Sequence, residues 1–370
     1  MASQTARGGG QKAGKKMSKE KPTIDRRKFM IQSALASLGL LVGPAALQTV
    51  RAADGKNRPL KAAFSNAGLQ ATWCAQGKDT VEQWGKWLGV EIHWYDGQLD
   101  VAKQRAAVDA MAQKDWDFVA IQPLSIGSLV EPVQKMINKG IPVIAMDTML
   151  APWGTLKLHT FIAPDNVWMG EQVTQALVDA IGGKGNIVMT QGSLGHTGAQ
   201  GRAQGFWNVV KRYPDIKVLD TSPADWDVAK VAQLWENLLN RYKKIDAAFF
   251  HNDDMALAAY NVIKNAGREK EIVIGGIDGM PPAVEAVLDG RMHATARNSA
   301  PRIHWGALVA GYYAVMQKEV GGKDVPEFIL ADGPAILPPS KKKSDKPWLL
   351  KGYGIGAGPG LLWEEKHFLA

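Results

Sequence analysis

Polar and aromatic side chains recur at one kind of position, directly after short apolar segments of the chain. Asn66 and Trp73 follow the segment Leu60–Ser65, and Asp147 follows the segment Pro142–Met146. Later apolar segments and their loops lead to Arg202, Trp226, Asn252, Asp278 and Asn298. Carboxylate, amide and guanidinium groups can each bond two adjacent hydroxyl groups, and tryptophan covers apolar C–H surface. Together these residue types predict a site for a small polyhydroxylated molecule.

Common catalytic motifs are absent from the sequence. It contains no Gly-x-Ser-x-Gly elbow, no His-Glu-x-x-His pair and no phosphate loop ending in Gly-Lys-Ser/Thr. Asp147 and Asp278 could form an acid–base pair, but no nucleophile is placed between them. The glycine-rich segment Gly192–His196 could hold a phosphate before a helix, and the seven histidines show no metal-ligand spacing. We therefore predict a binding protein without enzymatic activity, cofactor or metal.

Several of these polar residues also fit structural roles. Asp165 precedes a helical segment and is predicted as its N-cap. Either Asp253 or Asp254 could cap the helix that is predicted to begin at Met255. Asp278 also fits a turn with the glycine that follows it, and Arg202 also fits a solvated helix position. The sequence alone leaves these alternatives open.

The spacing of apolar residues indicates the elements that position the polar groups. Short apolar segments alternate with stretches of helical periodicity, which is typical of parallel sheets covered by helices on both faces. The predicted strands are Leu60–Ser65, Val90–Tyr95, Phe118–Gln122, Pro142–Met146, Gly185–Thr190, Lys217–Asp220, Ala247–His251, Ile272–Ile277 and His293–Ala296. The predicted helices include Ala102–Gln113, Val167–Ile181, Val228–Tyr242 and Met255–Ala266. We predict an α/β fold of two successive βαβ lobes that meet near residues 162–165, with an irregular tail from Gly333.

The net charge of +8 belongs to the first 52 residues. This segment holds ten Lys and Arg residues against two acidic ones, and the other 318 residues carry 34 basic and 34 acidic groups. Binding to nucleic acid requires a basic face on the folded domain. The neutral body therefore argues against a nucleic-acid partner.

The same 52 residues have the order of an export signal. A basic stretch containing Arg26 and Arg27 precedes an uncharged segment, residues 30–50, and then the small residues Ala52 and Ala53. The paired arginines followed by Lys-Phe-Met resemble the twin-arginine motif. We predict a twin-arginine signal peptide over residues 1–52 and a periplasmic location, with an uncleaved membrane anchor as the alternative.

Motifs spread from Leu60 to Ala331 resemble those of the ribose-binding-protein-like family of periplasmic sugar-binding proteins. The matching segments are Ile141–Asp147, Ile162–Asn166, Gly201–Phe206, Pro223–Asp227, Phe249–Leu257, Gly276–Gly279 and Asp289–Arg291. The resemblance implies the type I periplasmic binding protein fold, in which two Rossmann-like lobes with helix-flanked parallel sheets are joined by a three-crossover hinge. It implies sugar contacts from Trp73 with Cys74, Asp147, Arg202, Trp226, Asn252, Asp278 and Asn298.

The resemblance also implies domain boundaries and partners. The N-terminal lobe would comprise residues 58–164 and 299–327, and the C-terminal lobe residues 165–298 and 328–370, with crossovers near Pro164, Asn298 and residue 328. The lobes would close on a monosaccharide or sugar alcohol, and the closed monomer would dock to the membrane permease of an ABC transporter. Docking to a chemoreceptor or sensor kinase is the alternative, and a sugar-modifying enzyme is a third.

Departures from the ribose-binding pattern concern the ligand. Cys74, the single cysteine, stands where the pattern has a second aromatic residue, and Thr148 stands where it has an arginine. Ala71 replaces an amide, for which Asn66 or Gln70 could compensate. Because loss of the arginine removes up to five hydrogen-bond donors, we predict a ligand that differs from ribose in size or hydroxyl pattern.

Overall fold

The computed structural model describes residues 58–320, 324–331, 333–339 and 354–356. The predicted signal segment, residues 1–52, lies outside the described residues. The strands are β1 Leu60–Asn66, β2 Val90–Asp96, β3 Phe118–Ile121, β4 Val143–Met146, β5 Thr160–Ala163, β6 Gly185–Thr190, β7 Ile216–Asp220, β8 Ala247–Phe250, β9 Val273–Gly275, β10 Thr295–Ala296, β11 Phe328–Leu330, β12 Ala335–Leu337 and β13 Gly354–Gly356. The helices are α1 Thr72–Leu88, α2 Val101–Ala112, α3 Val130–Asn138, α4 Asn166–Ala180, α5 Thr197–Val210, α6 Val228–Arg241, α7 Asp253–Asn265, α8 Pro281–Leu288 and α9 Ala300–Val320.

The first lobe is built on a six-stranded parallel sheet in the order β11-β5-β4-β3-β1-β2. Successive residues of a strand point to opposite faces, so each strand contributes to two cores. Phe64 of β1 packs in the core that contains Trp73 and Ile303, whereas its neighbour Ala63 packs in the core on the other face with Val133. Helix α9 returns the chain to this lobe and packs against α1 in the first of these cores.

The second lobe is built on a four-stranded parallel sheet in the order β7-β6-β8-β9. Val188 of β6 packs on one face with Trp235 of α6, and Met189 packs on the other face with Phe206 of α5. A third sheet in the order β10-β12-β13 adjoins this lobe, because residue Ile336 of β12 packs in the core of Val188 and Trp235. Two lobes with helix-flanked parallel sheets confirm the predicted fold class.

The C-terminal segment differs from the sequence prediction. Phe328–Leu330 was assigned to the second lobe, but as β11 it pairs with β5 in the sheet of the first lobe. The chain therefore makes its third crossing after Leu330, because β12 pairs with β10 beside the second sheet. The tail from Gly333 is also not wholly irregular, since it contains β12 and β13.

The nine predicted strands all coincide with observed strands, and the ends of the four named helices lie within two residues of the prediction. Strand β5 was not predicted, and two of its four residues, Ile162 and Ala163, lie in the predicted junction between the lobes. Asp165 caps α4 as predicted, with its carboxylate accepting a 2.9 Å hydrogen bond from the Trp168 amide. Within the described part of the chain, the helices are too short or too polar to cross a membrane.

Candidate ligand-binding site

The predicted polar residues meet in a closed cavity where the carboxyl ends of the two main sheets face each other. The volume of the cavity is about 40 Å³. Its lining residues are Ala67, Ala71, Trp73, Cys74, Leu99, Gln122, Asp147, His196, Arg202, Trp226, Asn252, Asp278 and Asn298. Eight of the ten predicted site residues belong to this set.

Four of the lining residues are held in an unusual backbone conformation. The φ angles are +53° at Leu99, +60° at Asp147, +65° at Trp226 and +126° at Asp278, in a region that residues other than glycine rarely adopt. Such strain costs of order 1–3 kcal/mol per residue and concentrates at functional sites. Because each of these residues follows a strand or its loop, the sharp backbone turn directs its side chain into the cavity instead of along the sheet edge.

On the side of the first lobe, hydrogen bonds fix the carboxylate of Asp147. One oxygen accepts from the side-chain amide of Asn298 at 2.9 Å, and the other accepts from that of Gln122 at 3.0 Å. The indole N–H of Trp73 donates to the backbone carbonyl of Asn298 at 2.7 Å, which fixes the ring against the crossover. The Oδ1 atom of Asn298 is buried without a hydrogen-bond partner in the described structure, so it can accept a bond from a ligand hydroxyl.

On the side of the second lobe, Arg202 is almost fully buried and faces Asp278. The guanidinium Nη2 lies 3.3 Å from the Asp278 carboxylate, while Nε donates to Asn166 at 3.0 Å and Nη1 to the carbonyl of His251. Burial raises the pKa of Asp278 well above its usual value, and the charge of Arg202 opposes this rise. The Arg202 position depends on close contact of α4 and α5, because a Cβ on Gly170 would lie 2.4 Å from the Arg202 carbonyl oxygen.

Trp226 forms the aromatic wall of the cavity. Its ring lies 5.6 Å from the Arg202 guanidinium carbon and 5.2 Å from the ring of His196, in an edge-to-face arrangement. Gly192 makes room for the indole, since a Cβ there would lie only 2.1 to 2.3 Å from three ring atoms. The glycine at the start of the segment Gly192–His196 is therefore explained by the space that the Trp226 ring needs. A phosphate-binding role for this segment is not required to explain that glycine.

Asn252 has two functions in the structure. It lines the cavity, and its Oδ1 accepts from the Met255 amide at 3.0 Å as the N-cap of α7. The alternative left open by the sequence, that Asp253 or Asp254 caps this helix, is not realised, because Asn252 is the N-cap. The carboxylate of Asp253 instead accepts from the Met280 amide and from Thr295 in the same lobe, and that of Asp254 bonds the other lobe.

Two predicted site residues, Asn66 and Thr148, lie outside the cavity lining. Asn66 is fully buried behind the lining, and its amide nitrogen donates to the Cys74 carbonyl at 3.3 Å. The Thr148 hydroxyl donates to the Pro123 carbonyl at 2.9 Å, which ties together the loops after β3 and β4. The Thr148 hydroxyl and the amide nitrogen of Asn66 therefore hold neighbouring backbone, whereas Oδ1 of Asn66 is buried without a hydrogen-bond partner in the described structure.

Gln122 and His196 line the cavity but were not predicted as site residues, nor were the apolar residues Ala67, Ala71 and Leu99. Gln122 stands at the end of an apolar strand, the same signal that identified Asp147, but it was counted as part of the strand. His196 carried no such signal, because it lies in a loop several residues after β6. The direction in which its imidazole ring points depends on the packing of that ring against Trp226.

Hydrogen bonds across the opening hold the two lobes together. The backbone amide and the hydroxyl of Thr72 donate to the Asp254 carboxylate at 2.8 and 2.7 Å. We call the line along which the two lobes meet the seam. On this seam, the Ile126 amide also donates to the Gly195 carbonyl at 2.9 Å, and the Met149 amide donates to the Thr197 hydroxyl at 3.0 Å. The structure therefore shows the closed arrangement of the lobes.

The chemistry available in the cavity is that of binding. Burial raises the pKa of the Cys74 thiol well above its usual value, so the group is a neutral thiol and a poor nucleophile. Among the described residues, no cluster of three or more His, Cys, Asp or Glu side chains is arranged to hold a metal ion. The remaining polar groups can donate to and accept from hydroxyl groups while Trp73 and Trp226 cover apolar surface.

A larger cavity of about 270 Å³ lies in the first lobe, beneath the loop between β4 and β5. Its lining is mainly apolar, and its charged residues are Lys157 and Glu327. Because the carboxylates, amides and arginine that converge at the lobe interface are missing from this lining, the smaller cavity is the better candidate.

Comparisons with known proteins agree with this geometry. The family model described as periplasmic binding protein domain matches residues 62–319. The chain is 33% identical over 242 residues to the xylitol-binding protein of Mycolicibacterium smegmatis, covering 65% of this chain and 68% of that one. It is 29% identical to the ribose import binding protein of Bacillus subtilis, covering 65% and 77% of the two chains. A crystal structure of a galactofuranose binding protein has the same fold, with a TM-score of 0.73, 24% identity and coverage of 84% and 100%.

Proposed function

Because the chain belongs to the periplasmic binding protein family, we propose that it captures a monosaccharide or sugar alcohol between its two lobes and delivers it to an ABC-type importer. The observation that carries the proposal is the closed cavity in which Asp147, Arg202, Asn252 and Asp278 surround a space bounded by tryptophan. The names of the relatives, which bind xylitol and ribose, support a ligand of this class.

The polarity of the cavity favours a neutral ligand with many hydroxyl groups. Ligand pockets are generally apolar with a few placed polar groups, whereas this one has charged or amide side chains on both lobes. Arg202 already faces Asp278 at 3.3 Å and opposes the rise in the Asp278 pKa that burial causes, so an ionised Asp278 would balance the arginine charge within the protein. A hydroxyl group can accept from the first and donate to the second without bringing a net charge into the buried site.

The ligand should differ from ribose in its pattern of contacts. Cys74 lines the cavity where the ribose-binding pattern has an aromatic residue, so less apolar surface is covered on that side. Thr148, which replaces an arginine of that pattern, bonds a backbone carbonyl and contributes no donor to the cavity. A polyol or a pentose or hexose other than ribose fits this smaller set of donors.

Delivery requires a partner that distinguishes the closed form from the open one. The seam hydrogen bonds join loops of the two lobes, so closure creates a continuous surface from both. We propose that the monomer presents this surface to the membrane permease of an ABC transporter. Import by a relative, the ribose import binding protein, supports this step. Export by the twin-arginine pathway would place the chain in the periplasm, where the partner is accessible.

The experiment that tests the proposal is a thermal-shift screen of the purified protein against a panel of xylitol, D-ribose, D-allose, L-arabinose, D-galactose and myo-inositol. A ligand that binds only the folded state stabilises it by about 4 kcal/mol at a thousand times its Kd. We expect a large shift from one or two compounds and none in Asp278→Ala, with no consumption of the ligand on prolonged incubation. The absence of a shift from every compound would contradict the proposal, as would an unchanged shift in the variant.

A further inference from the structure

His196 occupies the N-cap position of α5 but does not cap the helix. Its backbone has the extended conformation of an N-cap, with φ −89° and ψ 119°, yet its side chain makes no capping hydrogen bond. Ser, Thr, Asp and Asn are the usual residues there because their short side chains reach the free amides of the first turn. The imidazole instead lies inside the cavity and is only 4% exposed. The side chain therefore serves the site and not the helix.

The imidazole faces Asp147 of the other lobe at a distance that fits one bridging oxygen atom. Nε2 of His196 lies 3.8 Å from Oδ2 of Asp147, which is too long for a direct hydrogen bond. An oxygen about 2.8 Å from both atoms would be within hydrogen-bonding distance of each of them. The edge-to-face contact with Trp226 at 5.2 Å fixes the plane of the imidazole. Nδ1 is buried without a hydrogen-bond partner among the described residues.

Neutral imidazole offers one donor and one acceptor, as a hydroxyl group does. Burial lowers the pKa of His196 to about 4, although Asp147 raises it and Arg202 lowers it further. At neutral pH the ring is therefore uncharged. It can donate to a ligand oxygen whose own proton is accepted by the Asp147 carboxylate, so that a single hydroxyl joins the two lobes.

We propose that His196 is a specificity-determining residue that, together with Asp147, binds one hydroxyl group of the ligand across the lobe interface. This inference rests on the proposed function and deepens it, because it assigns a contact beyond those implied by the ribose-binding pattern. A ligand without a hydroxyl at that position would leave both groups unpaired and would be disfavoured.

The test measures Kd by isothermal titration calorimetry for the full chain and for His196→Ala. The probes are the panel compound that binds most tightly to the wild type and its monodeoxy derivatives. We expect His196→Ala to raise the Kd of the parent compound two- to tenfold, the range of one lost hydrogen bond. One monodeoxy derivative should bind wild type and variant equally, because the contacted hydroxyl is already missing. His293→Ala, a half-buried histidine of the same lobe outside the cavity, is the matched control and should leave every Kd unchanged.

A second measurement keeps the test valid if His196→Ala folds poorly. Ring ¹⁵N resonances of the wild-type protein, assigned with His196→Gln, should change for His196 when the parent compound is added and change little with the critical derivative. Equal losses for every derivative in His196→Ala, or ring resonances that do not respond to the parent compound, would overturn the inference. If the wild type binds no panel compound, the proposed function fails and the inference fails with it. If the wild type binds a panel compound but His196→Ala has the same Kd and the ring resonances of His196 do not respond, only the inference fails.

Discussion

Asp254 caps a helix of the opposite lobe, and removing it should weaken ligand binding without changing the cavity. The N-cap residue of α1 is Ala71, which has no side chain to bond the free amides of the first turn. The carboxylate of Asp254 takes this role from the second lobe, accepting from the amide and the hydroxyl of Thr72. In the open arrangement, water must replace these bonds. The capping energy is therefore gained only on closure.

The expected magnitude follows from the number and type of bonds lost in Asp254→Ala. Loss of an N-cap costs about 0.5–2 kcal/mol, and the second bond to Thr72 lies at the solvent-exposed edge of the seam, where its contribution is small. We expect a total of about 1–2 kcal/mol, which corresponds to a Kd about 5- to 30-fold higher. Since the bond exists only in the closed form, the increase should come from faster dissociation with little change in association.

Stopped-flow fluorescence of the site tryptophans and calorimetry would measure these constants. Asp100→Ala is the matched control, because Asp100 caps α2 through the Ala102 and Lys103 amides within one lobe. It should lower the free energy of unfolding without raising Kd. A double-mutant cycle with Thr72→Ala isolates the hydroxyl bond alone, because the backbone amide of residue 72 remains, and it should show only a small coupling energy. The reasoning is refuted if Asp254→Ala keeps the wild-type Kd.

Three further predictions concern other parts of the molecule. Gly192→Ala places a methyl group within 2.3 Å of the Trp226 ring and should weaken ligand binding at least tenfold, roughly the loss of one well-packed aromatic contact. Gly306→Ala is the control, because its Cβ would meet nothing nearer than 3.4 Å. Equal Kd values for Gly192→Ala and the wild type in calorimetry would contradict this prediction. Burial lowers the pKa of His304 to about 4, so the unfolded chain takes up a proton below about pH 6.5 before the folded chain does, and stability is lost as pH falls from about 6.5 towards 4. His304→Gln should remove about 1.4 kcal/mol per pH unit from that slope in urea titrations, and an unchanged slope would refute the assignment. Replacing both Arg26 and Arg27 by lysine should leave the precursor in the cytoplasm in cell fractionation, whereas normal export would exclude the twin-arginine signal.

Local pattern was sufficient to predict most strands and most of the cavity lining. Strands of a buried parallel sheet are continuous apolar segments, and the residue that ends such a segment must lie at the ligand-binding edge. This argument placed Asp147, Asn252 and Asp278 correctly at the cavity. It failed for Asn66, because the end of β1 is covered by the first turn of α1 and lies behind the lining.

The features that the sequence did not reveal depend on contacts between distant parts of the chain. Strand β11 pairs with β5, more than 160 residues earlier, so no local spacing shows that Phe328–Leu330 belongs to the first lobe. The capping of α1 by Asp254 likewise joins residues 182 positions apart. His196 belongs to the same class, since only the packed position of Trp226 turns its ring towards Asp147.

The closed cavity leaves polar atoms that a ligand must satisfy. Oδ1 of Asn298 and Nδ1 of His196 are both buried without a hydrogen-bond partner among the described residues, and each such atom costs about 1–3 kcal/mol. The capping of α1 by Asp254 and the cross-lobe hydrogen bonds of Ile126 and Met149 offset part of these penalties on closure. Closure of the empty protein is therefore less favourable than closure around a ligand that satisfies both atoms. Ligand hydroxyl groups remove the penalties and leave the cross-lobe bonds as net stabilisation, so the polar atoms that recognise the ligand also couple its binding to closure.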